Sequence, residues 1–139
     1  MCIVCEYKHE GKNLEGWKDL CCSFCPEITE IPNITSLERL FCSNCPKLTK
    51  IPAIHGLEVI YCSRTGITEI PNIPSLKRLI CESCPRITKI PNMNGLEILV
   101  CNDCNWIDYY PNSNYRENIK KLFYKNGSKK YFCLINYLN

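Results

Sequence analysis

A spacing constrains this chain more than its composition does. Beginning at Leu37, apolar and special residues fall in the order Leu37, Leu40, Cys42, Cys45, Leu48, Thr49, Ile51, Pro52, Ile54. The same roles recur from Trp17 (Leu20, Cys22, Cys25, Ile28, Ile31, Pro32, Ile34) and from Leu57 (Ile60, Cys62, Thr65, Ile67, Ile70, Pro71, Ile73). They recur again from Leu76 (Leu79, Cys81, Cys84, Ile87, Ile90, Pro91, Met93) and from Leu96 (Leu99, Cys101, Cys104, Ile107, Tyr110, Pro111). The period is 20 residues, shortened once to 19. A fixed period of this size means stacked supersecondary units, each too small to bury its own apolar face.

The alternation Leu40-x-Cys42 is strand periodicity, with one side chain in and the next out. Successive strands would pair in parallel about 4.8 Å apart, building one sheet. Twenty residues leave no length for a helix after the strand. The Thr-x-Ile-Pro-Asn stretch instead suits an extended return whose prolines stay out of the ladder.

Written as L-x-x-L-x-C-x-x-C-x-x-L-T-x-I-P, residues 17–111 resemble the leucine-rich-repeat pattern. The short unit fits too, because Thr65 replaces the second Cys where only Gly66 precedes the next apolar position. The resemblance implies a β-rich solenoid: a right-handed superhelix with a parallel concave sheet, extended convex returns and non-catalytic protein recognition through that sheet. The Cys-rich unit with its C-P-x-L/I-T-x-I-P return is similar to short-repeat proteins of large DNA viruses that infect amoebae. That likeness implies a host or viral protein partner, a host cytoplasmic setting and packaging in a virion.

One domain is expected over 1–139, with five repeats at 17–111 between two caps. Residues 1–16 read as a degenerate half-repeat, since Cys2 and Cys5 align with Cys22 and Cys25 while Lys8 and Gly11 stand where Ile is expected. In 112–139, Tyr115, Ile119, Leu122 and Phe123 have helical spacing, and Asn126-Gly127 offers a stop. A helical C-terminal cap follows, with 129–138 a second helix or a strand, the helix being favoured.

The chain of 139 residues holds 13 cysteines, a content usual in secreted disulfide scaffolds. Most, however, sit at two repeat positions, as small apolar core residues would. That usage, with no export signal at the N-terminus, points to reduced thiols in a cytoplasmic or nuclear compartment. Cys22-x-x-Cys25 and Cys42-x-x-Cys45 fit a two-knuckle zinc spacing. The same pairs recur with the repeat, and Thr65 breaks one without a replacement ligand, so core packing is preferred and no metal or cofactor is expected.

Nothing favours an enzyme. His9 and His55 lie in no nucleophilic context, and no phosphate-cradling glycine loop is present. Glu38, Glu58 and Glu97 share one repeat position and read as a solvated stripe. Asn33-Ile34-Thr35 and Asn126-Gly127-Ser128 match the glycosylation triplet, which carries little weight without export. No apolar run nears the roughly 20 residues of a membrane span. A net charge of +3 is too small to imply nucleic acid by itself.

Two surfaces attract attention. The outward strand columns are Cys21, Phe41, Tyr61, Ile80, Val100 and Asp19, Arg39, Val59, Arg78, Ile98. Contiguous apolar and aromatic groups beside arginines are typical of protein-binding faces, although β-propensity alone also places such residues on strands. The expected protein-binding set is Phe41, Tyr61, Ile80, Val100, Arg39, Val59, Arg78 and Ile98. The rival is the C-terminal segment, where Arg116, Lys120, Lys121, Lys125, Lys129 and Lys130 oppose Glu117 among interleaved aromatics. Such a segment can hold nucleic acid, but a lysine-coated cap is the preferred account.

Overall fold

The computed structural model describes residues 2–87, 90–91, 93–101, 104, 121–126 and 130–134, the last two segments by backbone alone. Five three-residue strands follow at the repeat interval: β1 (Asp19–Cys21), β2 (Arg39–Phe41), β3 (Val59–Tyr61), β4 (Arg78–Ile80) and β5 (Ile98–Val100). Each pairs in parallel with the next, so that Leu20, Leu40, Ile60, Leu79 and Leu99 stand in one register. The product is a β-solenoid of about four turns.

The middle residue of every strand points inward and is fully buried, while its two neighbours face out. A strand of three residues has one inward position, so most of the core comes from the rest of the turn. Leu37, Leu57, Leu76 and Leu96 form one buried column and Cys42, Cys62, Cys81 and Cys101 another; Leu48, Ile67 and Ile87 line the return. Each buried Leu or Ile stabilises by about 1.5–3 kcal/mol, a gain available only because the adjacent turn covers it. Trp17 departs from its column: the Leu at that place is buried in later turns, but the indole is 39% exposed at the end of the stack.

Between strands the chain closes by turns rather than helices. Ile34 N–H donates to Pro32 C=O and Leu37 N–H to Ile34 C=O, both at 3.0 Å, and the next turn repeats this at Ile54 and Leu57. A sparse second ladder joins the returns through Thr49 N–H to Thr29 C=O at 3.1 Å and the parallel bridge between Glu30 and Lys50.

Both caps differ from expectation. At the N-terminus α1 (Ile3–Glu10) replaces a half-repeat, ending at Gly11 in the left-handed conformation (φ 65°) with its N–H on Tyr7 C=O. Without Ile at the positions of Lys8 and Gly11 the segment cannot follow the extended return. A helix still lays Val4 and Cys5 on the first turn, where both are buried. At the other end the expected helix is corrected over the described residues. β6 (Lys121–Asn126) extends the sheet in parallel with β5, and β7 (Lys130–Leu134) returns antiparallel to it. An uncovered β5 edge offers a row of backbone donors and acceptors that a strand satisfies and a helix does not. The run Leu122-Phe123-Tyr124 has strong strand propensity, and Asn-Gly ends a hairpin strand as readily as a helix. The remainder of 105–139 lies outside the described residues, as do Arg116, Lys120 and Lys129. Among the described residues no helix is long and apolar enough to cross a membrane.

Candidate functional site

The sheet's outward face assembles both columns expected from the repeat. Asp19, Arg39, Val59, Arg78 and Ile98 align across five strands, and so do Cys21, Phe41, Tyr61, Ile80 and Val100. Cys21, Arg39 and Arg78 are exposed, while Phe41, Val59, Tyr61, Ile80, Ile98 and Val100 are half-buried. No second layer covers this face among the described residues, and the half-burial comes from the side chains packing on one another. The Phe41 and Tyr61 rings meet edge to face, with centroids 5.2 Å apart at 82°. Arg78 Nη1 donates to Tyr61 Oη at 3.1 Å. Together Arg39, Phe41, Val59, Tyr61, Arg78 and Ile98 line a depression of about 390 Å³, bordered by Lys77 and Glu97.

Charges on this face are partly matched from within. Arg39 forks onto Asp19 through both its Nε and its Nη2, the latter at 2.6 Å. The guanidinium's hydrogen bonds hold the Asp19 carboxyl below its ordinary value, and the carboxylate raises Arg39. The stripe of glutamates pairs across turns, Lys18 with Glu38 at 2.7 Å and Lys77 with Glu58 at 2.9 Å. Exposed pairs of this kind contribute little stability but fix side-chain positions.

The twelve cysteines whose side chains are described are all free thiols. In the column at the turn, Cys45 Sγ donates to Cys22 C=O at 3.1 Å, Cys84 to Cys62 C=O at 3.2 Å and Cys104 to Cys81 C=O at 2.9 Å. These cysteines therefore act as ladder residues between turns, satisfying a buried carbonyl. Thr65 does this differently: its Oγ1 donates to Cys62 C=O, within its own turn, at 2.8 Å. The inner column is held protonated. Burial raises Cys42 well above the ordinary thiol value, and contact with Cys84 and then burial do the same for Cys62.

The first turn breaks this pattern. Cys25 holds the ladder position, yet its sulfur lies 3.5 Å from Cys5 Sγ, which in turn is 3.6 Å from Cys2 Sγ. Among the described residues these three form the only group of His, Cys, Asp or Glu able to hold a metal ion together; the two-knuckle set with Cys42 and Cys45 does not converge. Desolvation raises the Cys25 thiol, but hydrogen bonds from Cys2, the Glu27 N–H and Cys5 outweigh it and bring it to about 7. Burial, together with bonds to Cys25 and Cys2, pushes Cys5 up to about 12. Aligning Cys2 and Cys5 with Cys22 and Cys25 hid this convergence, because only a helix turns both sulfurs toward Cys25.

Two further features escaped the sequence. The residue before the ladder position has positive φ in four turns, at Phe24, Asn44, Arg64 and Ser83. Its unlike side chains conceal a shared backbone state. A serine column also bridges turns: Ser63 N–H donates to Ser43 Oγ at 3.2 Å and Glu82 N–H to Ser63 Oγ at 3.1 Å. The recurrence of Ser after the first Cys was the available signal.

Comparison with protein-family models, with curated proteins and with solved structures finds no match for this chain.

Proposed function

We propose that the chain is a non-catalytic protein-binding module of leucine-rich-repeat type whose partner lies across the outward face of the sheet. One observation carries this reading. Phe41, Val59, Tyr61, Ile80, Ile98 and Val100 form a contiguous apolar face that no second layer covers among the described residues, and a depression beside it is flanked by Arg39 and Arg78. Faces with this mixture of aromatic, aliphatic and arginine groups are enriched in binding energy. Arg39 is already engaged by Asp19, whereas Arg78 bonds the neutral hydroxyl of Tyr61. The complementary partner is therefore a protein segment with apolar side chains over Phe41 and Tyr61 and a carboxylate opposite Arg78. The resemblance to viral short-repeat proteins makes a host or viral protein in a reducing compartment, or in the virion, the partner to seek.

Tyr61→Lys and Ile80→Glu replace half-exposed side chains and are expected to leave the circular dichroism melt within a few degrees of the parent. Each should weaken partner capture by at least about 30-fold, the 2 kcal/mol of a central binding residue. Equal capture by parent and variants contradicts the assignment of this face.

A second reading draws on the C-terminal hairpin, whose backbone brings Lys125 near the end of β6 beside Lys130 at the start of β7, with Lys121 at the far end of β6. If this hairpin binds nucleic acid, a gel shift at low salt appears and collapses as salt rises. No shift at low salt removes this alternative.

A further inference from the structure

The ladder position has a uniform task in most of the stack. At Cys45, Cys84 and Cys104 the thiol donates to a carbonyl of the preceding turn. In the first turn, Cys25 is preceded by α1 instead of a strand turn. The helix places Cys5 Sγ 3.5 Å from Cys25 Sγ and Cys2 Sγ 3.6 Å from Cys5 Sγ, and all three sulfurs lie within 4.8 Å of one another. We propose that Cys2, Cys5 and Cys25 bind one thiophilic cation of the zinc class, clamping the N-terminal helix to the first turn of the solenoid.

The distances suit such an ion. Zinc–sulfur bonds of about 2.3 Å in a tetrahedron set their sulfurs about 3.8 Å apart, so shifts of a few tenths of an ångström bring the Cys2–Cys5 and Cys5–Cys25 pairs to that edge. All donors are soft sulfur, which selects zinc or cadmium over magnesium or calcium. Two independent elements supply them. Cys2 and Cys5 come from the start of α1, where Cys2 is the N-cap with no side-chain capping bond, and Cys25 follows β1. Two ligands three apart at a helix start with a third beyond a strand make the site depend on the docked cap. The backbone N–H groups of Glu27 and Ile28 point at Cys25 Sγ, and the positive end of the α1 dipole faces Cys2. These groups offset the negative charge left on a three-thiolate site. Cys5 and Cys25 are buried, whereas Cys2 is half-exposed, which leaves an open side for the ion to enter and for a water to fill the fourth position.

Binding is an exchange of protons for metal without redox change. Three thiols release three protons to solvent as one divalent cation forms three metal–sulfur bonds, leaving the protein ligands and metal at net charge −1.

The test uses the full chain, reduced and stripped with chelator, titrated with cobalt(II) as the optical probe and then with zinc(II). One cobalt per chain is expected, with sulfur-to-cobalt charge-transfer absorption that zinc abolishes. Cys2→Ser, Cys5→Ser and Cys25→Ser should each weaken binding on the order of 100-fold, because even an outer-shell loss costs 10–100-fold. Cys21→Ser, on the exposed face, should bind as the parent does. Cys2→Ser keeps the test decisive if the buried variants fail to fold, since Cys2 is outside the fully buried core. No charge-transfer band in the folded parent, unchanged affinity in Cys2→Ser, or a mass two units low that marks a disulfide under these conditions would each overturn the proposal.

Discussion

Cysteine in this chain does what leucine and asparagine do elsewhere, and that choice has a pH signature. Burial holds Cys42 protonated; for Cys62 and Cys81, contacts with Cys84 and Cys104 are the larger cause, and burial adds to them. Their folded values lie well above 9.0, the ordinary value each regains on unfolding. Below that value both states are protonated, and stability is untouched. Above it the unfolded chain loses protons that the folded chain keeps, so stability falls by up to about 1.4 kcal/mol per pH unit for each thiol. The lowered Cys25 and Cys84 thiols act oppositely, adding stability only up to the same ordinary value, so the inner column shows itself above pH 9. Chemical denaturation in reductant should show a midpoint clearly lower at pH 10 than at pH 9. Cys42→Ala should lose part of that fall, and a midpoint equal at pH 9 and pH 10 would contradict a dry thiol column. Backbone strain supplies a second residue-scale prediction. Phe24 has φ 62° and is 77% exposed, so its ring gains little packing to offset the left-handed cost of about 1–2 kcal/mol. Phe24→Asn, a residue that tolerates this state, should raise stability by roughly 0.5–1 kcal/mol in the same denaturation assay. Gly66 is the converse. A Cβ there would stand 2.6 Å from Pro46 C=O, so Gly66→Ala should cost about 1–3 kcal/mol, and a neutral result would mean the short turn sits farther from its neighbour.

At the scale of elements, the strands were legible in the chain because each needs only one inward residue between two outward ones. The period fixed which residue that was. Val59 and Tyr61 flank Ile60 in the structure as the alternation requires, and the outward columns share one register from β1 to β5. The caps were not legible, for a physical reason. A terminal element is chosen by the edge it must cover, and that edge exists only once the stack has formed. Tyr115 to Phe123 spaces its apolar groups for a helix, yet β6 places Leu122 in register with Leu99, because β5 presents unpaired backbone groups. The same edge argument predicts behaviour. Truncation after residue 120 should leave β5 open and make the chain self-associate more than its parent, as measured by light scattering across a concentration series. A truncated chain that scatters like its parent would show that β6 and β7 do not protect that edge.

For the whole molecule, stability is a chain of nearest-neighbour interfaces, and its distribution can be predicted from where each turn sits. A central turn is covered on both sides: Ile60 is fully buried, with Leu40 and Leu79 in register beside it. Leu20 is equally buried, but one of its neighbours is a single eight-residue helix instead of a strand turn. Replacing either residue by Ala removes similar apolar volume at about 2–5 kcal/mol, so the chemistry of the lesion is constant and only its position differs. In a one-dimensional stack a central lesion weakens two large interfaces, and the chain loses its two-state transition or melts as a whole at lower denaturant. A terminal lesion instead lets the end turn open locally while the rest stays folded. Hydrogen exchange distinguishes the two. With Ile60→Ala, protection should fall at the amides of Cys42 and Cys62, which donate to Tyr61 and Ile80 across the central strands. With Leu20→Ala, loss should concentrate at Cys22 and Phe24, whose amides donate to Phe41 and Ser43, while that of Cys62 stays close to the parent. Uniform loss in both variants would mean that the turns open as one unit, and the nearest-neighbour picture of this solenoid would have to be given up.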